Sequence, residues 1–290
     1  MVIQRLALVG ASGMLAGMVQ RLAPKNYDIA PLDLPDFDLA DRVGVLSAME
    51  KIRPDVIVNC AAYTNVDGCE SNEEVALLVN GAGAGYLAEV AKELDATLVH
   101  ISTDYVFDGT KKSPYAEEDT VNPKSAYGRT KLQGERAILE SGLEKFFIVR
   151  TSWLYGPRGK NFVETILRLA QEREELRVVA DQVGTPTYTE DLAAAIFRLL
   201  STKAFGIYHV SGQGECSWYE FACEIVAQYV RRGGQAMVKK IVPIATVEYP
   251  LPAIRPAYSV FSKGKYEATV GVSLPPWRES LSRYFDSRPA

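Results

Sequence analysis

One alternation constrains this chain more than anything else: through Thr151, short apolar runs are each followed by a longer segment of helical periodicity. Strands are predicted at 6–10, 27–32, 55–60, 97–102 and 146–151, and helices at 12–22, 43–51, 73–94 and 126–140. The runs DVIVNC (55–60) and TLVHIS (97–102) are close to continuously apolar. Such strands need cover on both faces, as in a parallel sheet with crossover helices. Gly81, Gly83 and Gly85 weaken the 73–94 helix and predict close packing or a bend there. The fold class is therefore α/β, a doubly wound parallel Rossmann sheet.

Beyond Thr151 the regularity breaks. Helices are predicted near 161–172, 190–200 and 217–230, with a strand near 207–210. A tail carrying Pro243, Pro250, Pro252, Pro256, Pro275 and Pro276 ends in a short amphipathic helix, 277–285. This portion reads as a smaller mixed α/β substrate-binding lobe on the carboxyl edge of the sheet. The expected organisation is 1–151 with about 188–212 as the dinucleotide-binding domain, and 152–187 with 213–290 as the substrate-binding lobe.

Composition removes several function classes. With 47% hydrophobic and 23% charged residues the chain is neither disordered nor fibrous, and its net charge of -4 offers no footprint for nucleic acid or an anionic membrane. The apolar stretch 6–19 after Arg5 superficially resembles a signal core, but glycines interrupt it at phosphate-loop spacing and Gln20-Arg21 follow. Cys60 and Cys69 are nine positions apart and Cys216 and Cys223 seven, matching neither a redox pair nor a zinc knuckle. They read as small buried hydrophobes in a reducing compartment, so the expected location is cytoplasmic. Two histidines, His100 and His209, are too few for a histidine-based zinc site or proton shuttle, and no metal is expected. His100 reads as a sheet residue and His209 as a core or loop residue.

Between the first strand and first helix lies Gly10-Ala11-Ser12-Gly13-Met14-Leu15-Ala16-Gly17. Glycines there permit a tight turn and let backbone N–H groups approach a pyrophosphate at the positive end of a helix. Asp33 follows the second strand, 20 positions after Gly13, near the offset at which an acid engages an adenosine ribose. No Lys or Arg lies between Ile29 and Asp41 to meet a 2'-phosphate, so NADH is expected ahead of NADPH. After the third strand, Ala61 and Ala62 are small enough for a cofactor to pass closely.

Tyr127 and Lys131 form a Tyr-x-x-x-Lys at the start of a predicted helix. Four residues advance a helix by about 400° and roughly 6 Å, which places both groups on one face. A lysine cation beside a phenol favours the phenolate and is expected to lower its pKa. Neutral Tyr127 can then donate a proton to a carbonyl oxygen as hydride reaches the carbon. Thr103 and Asp104, at the end of the fourth strand, can supply a hydroxyl and a tuning carboxyl to the same place.

These motifs agree in order with a known group. The segments GASGMLAG, RPDVIVNCAAYTNVDGCE, STDYVFDG, YGRTK, RTSWLYGPRGKNF, DQVGTPTYTEDLA, YHVSGQGECSWYEFA and IRPAYS resemble the extended short-chain dehydrogenase/reductases, most closely the dTDP-4-dehydrorhamnose reductase family. The resemblance covers nearly the whole chain. It implies reduction of a 4-keto group on a dTDP-deoxyhexose with NADH or NADPH, in deoxysugar and polysaccharide biosynthesis. It further implies that Tyr127 is the proton donor, Lys131 its partner, and Thr103 with Asp104 contacts near the sugar. Gly13, Met14 and Leu15 match the family's loop beneath the cofactor, Asp38 and Leu39 the adenine-side pair, and Ala62, Tyr63 and Thr64 the segment beside the dinucleotide. Trp153 resembles a sugar-contacting tryptophan, Arg255 a nucleotide-contacting arginine, and Gln182 a further substrate contact. Ala16-Gly17 and Val260-Phe261 depart from the family's usual residues. Other readings remain: a regulatory subunit resembling methionine adenosyltransferase beta, or a reductase or epimerase of another nucleotide sugar. The oligomeric state is open, a homodimer included.

Overall fold

The computed structural model describes residues 3–288, so positions 1, 2, 289 and 290 of the expected domains lie outside the described residues. Five strands, β1 (Gln4–Val9), β2 (Tyr27–Leu32), β3 (Val56–Asn59), β4 (Thr97–Thr103) and β5 (Phe146–Thr151), join a sixth, Gly206–His209, in one sheet. All its pairings are parallel, in the order β2-β1-β3-β4-β5 followed by Gly206–His209. The chain reverses its winding between β1 and β3. Ligands of open α/β sheets bind at such a switch point, outside the carboxyl ends of the strands.

Alternation along the strands builds two cores. Leu6 and Leu8 of β1 pack with α1 (Met14–Leu22) and a later helix, Thr189–Thr202. Ala7 and Val9 face the opposite way, onto α2 (Arg42–Ile52) and onto Leu87 and Val90. The predicted 73–94 helix is interrupted: α-helical turns at Glu73–Leu77 and Gly83–Glu93 flank a π-helical turn at Leu78–Ala82. Gly83 is packed so closely on Leu39 that a Cβ would stand 2.8 Å from the Leu39 carbonyl oxygen. A short helix, Val66–Ser71, precedes it and was not predicted. The next long helix, Ala126–Glu140, starts where Ser125 accepts the Gly128 N–H at 3.1 Å.

A third core, built on Tyr155, Tyr188, Phe221, Trp277 and Tyr284, holds together the helices Phe162–Glu172, Trp218–Arg231 and Trp277–Ser287. It includes a parallel strand pair absent from the sequence reading, Glu175–Val179 with Lys240–Ile244. Glu175–Val179 alternates exposed and buried residues, whereas Lys240–Ile244 does not, and its Pro243 masks the strand signal further. Among the described residues no helix is long and apolar enough to cross a membrane.

Candidate active site

A cleft of about 700 Å³ opens at the switch point, along the carboxyl ends of β1, β3, β4 and β5. Gly10, Gly13, Met14, Leu15, Asp33, Asp38, Leu39, Ala61, Ala62 and Thr64 line one end of it. Thr103, Asp104, Tyr127, Lys131 and Trp153 line the other. Sequence reasoning had no reason to single out Thr151, Lys160 or Trp218, which also line it. Pairing of β4 with β5 sets Thr151 directly beside Thr103.

The glycine loop is built for close approach. Gly10 has φ +77, and a Cβ there would stand 2.7 Å from the Ala61 nitrogen. Helix α1 begins with Gly13 as N-cap and no side-chain cap bond, leaving its first N–H groups for an anion. Burial would raise the Asp33 carboxyl, but N–H donation from Ser12 at 2.6 Å and Leu34 at 2.9 Å outweighs it and keeps the group ionised. Asp33 thus braces the loop while facing the cleft. The Arg158 guanidinium comes within 3.6 Å of where a Gly17 Cβ would stand, so a basic group does reach the loop, from outside the 29–41 segment. These features fit a nicotinamide dinucleotide.

At the other end, Tyr127 packs edge-on against Tyr105, with ring centroids 5.5 Å apart. Its phenol does not follow the expected direction: burial pushes it up, and the Thr103 hydroxyl only partly opposes this. Lys131 does not pull it down because its Nζ turns away, donating to the Ile101 carbonyl at 2.6 Å and lying 3.1 Å from His100 Nε2. Burial lowers the Lys131 amine to about 8. Asp104 accepts the Thr103 hydroxyl at 3.1 Å through Oδ1, whereas its buried Oδ2 has no partner. Burial raises this carboxyl to about 6, against the Ser259 and Thr103 hydroxyls. Thr151 Oγ1 is a second buried, unpartnered polar atom lining the cleft. Such atoms are costly unless a ligand completes them.

Three expected site residues lie off the cleft wall. Tyr63 is held by Asn80 of the π-helical turn, which accepts its N–H at 2.8 Å and donates to its carbonyl at 3.2 Å. Gln182 donates to Thr246 at 3.0 Å. Arg255 makes a two-pronged pair with Asp67, at 2.9 and 2.7 Å, which ties the proline-rich tail to the short helix Val66–Ser71. Trp153 is present, but not as an open shelf. One face stacks on Trp218, with centroids 3.4 Å apart and planes 7° from parallel. Gly184 covers the other: a Cβ there would stand 2.5 Å from Cε2, nearest that atom, and so over the ring plane on the side Trp218 leaves free. Trp153 remains partly exposed and still lines the cleft. Trp153 is also held at φ +47, a strained conformation.

A switch-point glycine loop and a Tyr-x-x-x-Lys helix bearing on one cleft define a dinucleotide-dependent reductase of the short-chain dehydrogenase/reductase type. The family profile described as "RmlD substrate binding domain" matches residues 4–288. The chain belongs to the dTDP-4-dehydrorhamnose reductase family. It is 44% identical over 286 residues to the dTDP-4-dehydrorhamnose reductase of Sinorhizobium fredii, covering 96% of each chain. It is 42% identical to the spore coat polysaccharide biosynthesis protein SpsK of Bacillus subtilis, covering 98% of each. The crystal structure of dTDP-4-dehydrorhamnose reductase from Bacillus anthracis, in complex with NADP, is similar with a TM-score of 0.94 at 41% identity, over 99% of this chain and all of that one.

Proposed function

We propose that this chain reduces the 4-keto group of dTDP-4-dehydro-L-rhamnose to give dTDP-L-rhamnose, with NADH or NADPH as reductant. The observation that carries this reading is the convergence of Tyr127, Thr103 and Lys131 with the unpartnered Asp104 Oδ2 at one end of a cleft whose other end is the glycine loop. Bound between them, the reduced nicotinamide supplies the hydride. Tyr127, kept neutral by burial, donates its proton to the keto oxygen. Thr103, turning its hydroxyl from Asp104 Oδ1, donates a hydrogen bond to the same oxygen. The charged form of Lys131 offsets the phenolate left on Tyr127. Asp104 and Thr151 hydrogen-bond sugar hydroxyls through the atoms that lack partners.

Gly10, Gly13, Met14 and Leu15 cradle the pyrophosphate, while Asp33, Asp38, Leu39 and the 61–64 segment flank the adenosine and ribose. Asp33 favours NADH, and Arg158 with Lys160 gives a 2'-phosphate a cationic alternative. Trp153 meets the sugar with its indole edge, and Arg255, released in part from Asp67, meets the diphosphate. The test is incubation of the protein with the dTDP-4-keto sugar and each reduced cofactor, following loss of nicotinamide absorbance and identifying the product. Cofactor oxidation with formation of dTDP-L-rhamnose is expected. No turnover with either cofactor would overturn the reading.

A further inference from the structure

The chain contains two histidines, and the reaction just proposed uses neither. His100, in β4, is buried between Asn59 of β3 and Lys131. Its Nδ1 lies 3.1 Å from Asn59 Nδ2, and its Nε2 lies 3.1 Å from Lys131 Nζ. The Asn59 amide has one productive orientation, because its Oδ1 accepts the Ala61 N–H at 3.1 Å. Turned over, it would set two donors against each other.

Asn59 Nδ2 therefore donates to His100, and Nδ1 must be bare. Burial inside the sheet holds His100 neutral, far below its ordinary pKa. A neutral imidazole carries one proton, so it sits on Nε2 and points at Lys131. Lys131 Nζ already donates to Ile101. An ammonium group has donors only, whereas a neutral amine keeps one lone pair. The chain Ala61–Asn59–His100–Lys131 closes without a donor–donor conflict only when Nζ presents that lone pair.

We propose that His100, its tautomer set by Asn59, is a positioning residue of the reduction: its Nε2–H opposes the protonated form of Lys131 and sets the upper pH limit of the Tyr127–Lys131 pair. This rests on the reductase reading above. The other titratable groups acting on Lys131 are Glu135 on its own helix and Cys60 just after β3. Glu135 favours the ammonium but is engaged by Arg150 and Ser102. Cys60, pushed up to about 12 by burial, faces it uncharged. His100 is the group that turns a fixed N–H on the amine.

Two measurements test this. Nitrogen-15 NMR of the full chain should show its two imidazoles in opposite tautomers. His209 must carry its proton on Nδ1, which lies 3.0 Å from the Tyr115 carbonyl, because its Nε2 faces Arg150 Nη1 at 3.3 Å. Finding His100 also protonated on Nδ1 overturns the proposal, and this readout needs no turnover. The second is the pH profile of kcat. His100→Asn keeps an acceptor near the Nδ1 position and removes the N–H from Lys131, while Asn59→Ala frees the ring to reverse its tautomer. Each should carry the alkaline limb upward by about one pH unit, a tenfold gain in proton affinity at Lys131. An unmoved limb in both variants overturns the proposal. Should His100→Asn fail to fold, Asn59→Ala and the tautomer spectrum still decide it. Absence of any reduction by the unaltered protein would instead count against the reductase reading.

Discussion

Two buried polar networks stand side by side at the carboxyl edge of this sheet, and they are finished differently. In one, Glu135 pairs with Arg150 at 2.7 Å and with Ser102, Arg150 reaches His209, and His209 N–H groups are taken by Glu117 and the Tyr115 carbonyl. No side-chain atom of that network is left without a partner. In the other, around Tyr127, the buried Asp104 Oδ2 and Thr151 Oγ1 have none, and His100 turns a donor toward an amine. The first network is complete within the chain, so it holds β4, β5 and Gly206–His209 in place. The second is incomplete without a ligand. Burial alone does not separate them, since Glu135 and Arg150 are as buried as Lys131. Satisfaction of the polar atoms does.

The sharpest way to break this contrast is Tyr127→Phe, which removes the proton donor and leaves the glycine loop untouched. The rate of reduction should fall on the order of 10²–10⁴-fold while the dissociation constant for reduced cofactor, read by fluorescence titration, stays within about twofold. Undiminished turnover would show that the incomplete network is not the reacting one. Arg150→Met breaks the complete network and leaves Glu135 buried and unpaired. Denaturant unfolding should show a loss of about 3–5 kcal/mol, as expected for one half of a buried ion pair. A loss below about 1 kcal/mol would mean the pair does not hold the strands.

Asp104→Asn sharpens the contrast by pH. The Asp104 carboxyl is raised in the folded protein, so its neutral form is favoured there. Its contribution to stability is complete below the unfolded value of 3.8 and is lost as pH rises through about 6. The shift of about two pH units corresponds to roughly 2–3 kcal/mol. From pH 4 to pH 8 the unfolding free energy of the unaltered protein should therefore fall more, or rise less, than that of Asp104→Asn, by about that amount at most. Equal differences in the two proteins would mean that Asp104 is effectively solvated.

Much of the site could be read from the sequence because its residues belong to local patterns. Gly10 and Gly13 sit in a strand-to-helix turn, Tyr127 and Lys131 are one helical turn apart, and Thr103 and Asp104 end a strand. All six line the cleft. Contacts that depend on distant partners have no such local pattern. Trp153 resembles a sugar-contacting tryptophan in sequence, and only the fold stacks Trp218 on one face of it and sets Gly184 against the other. Arg255 resembles a nucleotide-contacting arginine in sequence, and only the fold shows its pair with Asp67. His100 was read as an ordinary sheet residue. Only β3–β4 pairing sets it beside Asn59, and only the helix crossing above brings Lys131.

Period and spacing by themselves determined the parallel sheet, the glycine loop and the shared face of Tyr127 and Lys131, because each is set by hydrophobic alternation or by the pitch of a helix. Tertiary structure alone decided the protonation chemistry. A phenol, a carboxyl and an amine take their charge from burial and from which donors face them, and those neighbours come from strands and helices tens of residues apart. The sequence names the groups that can carry a proton; the packing sets which of them holds it.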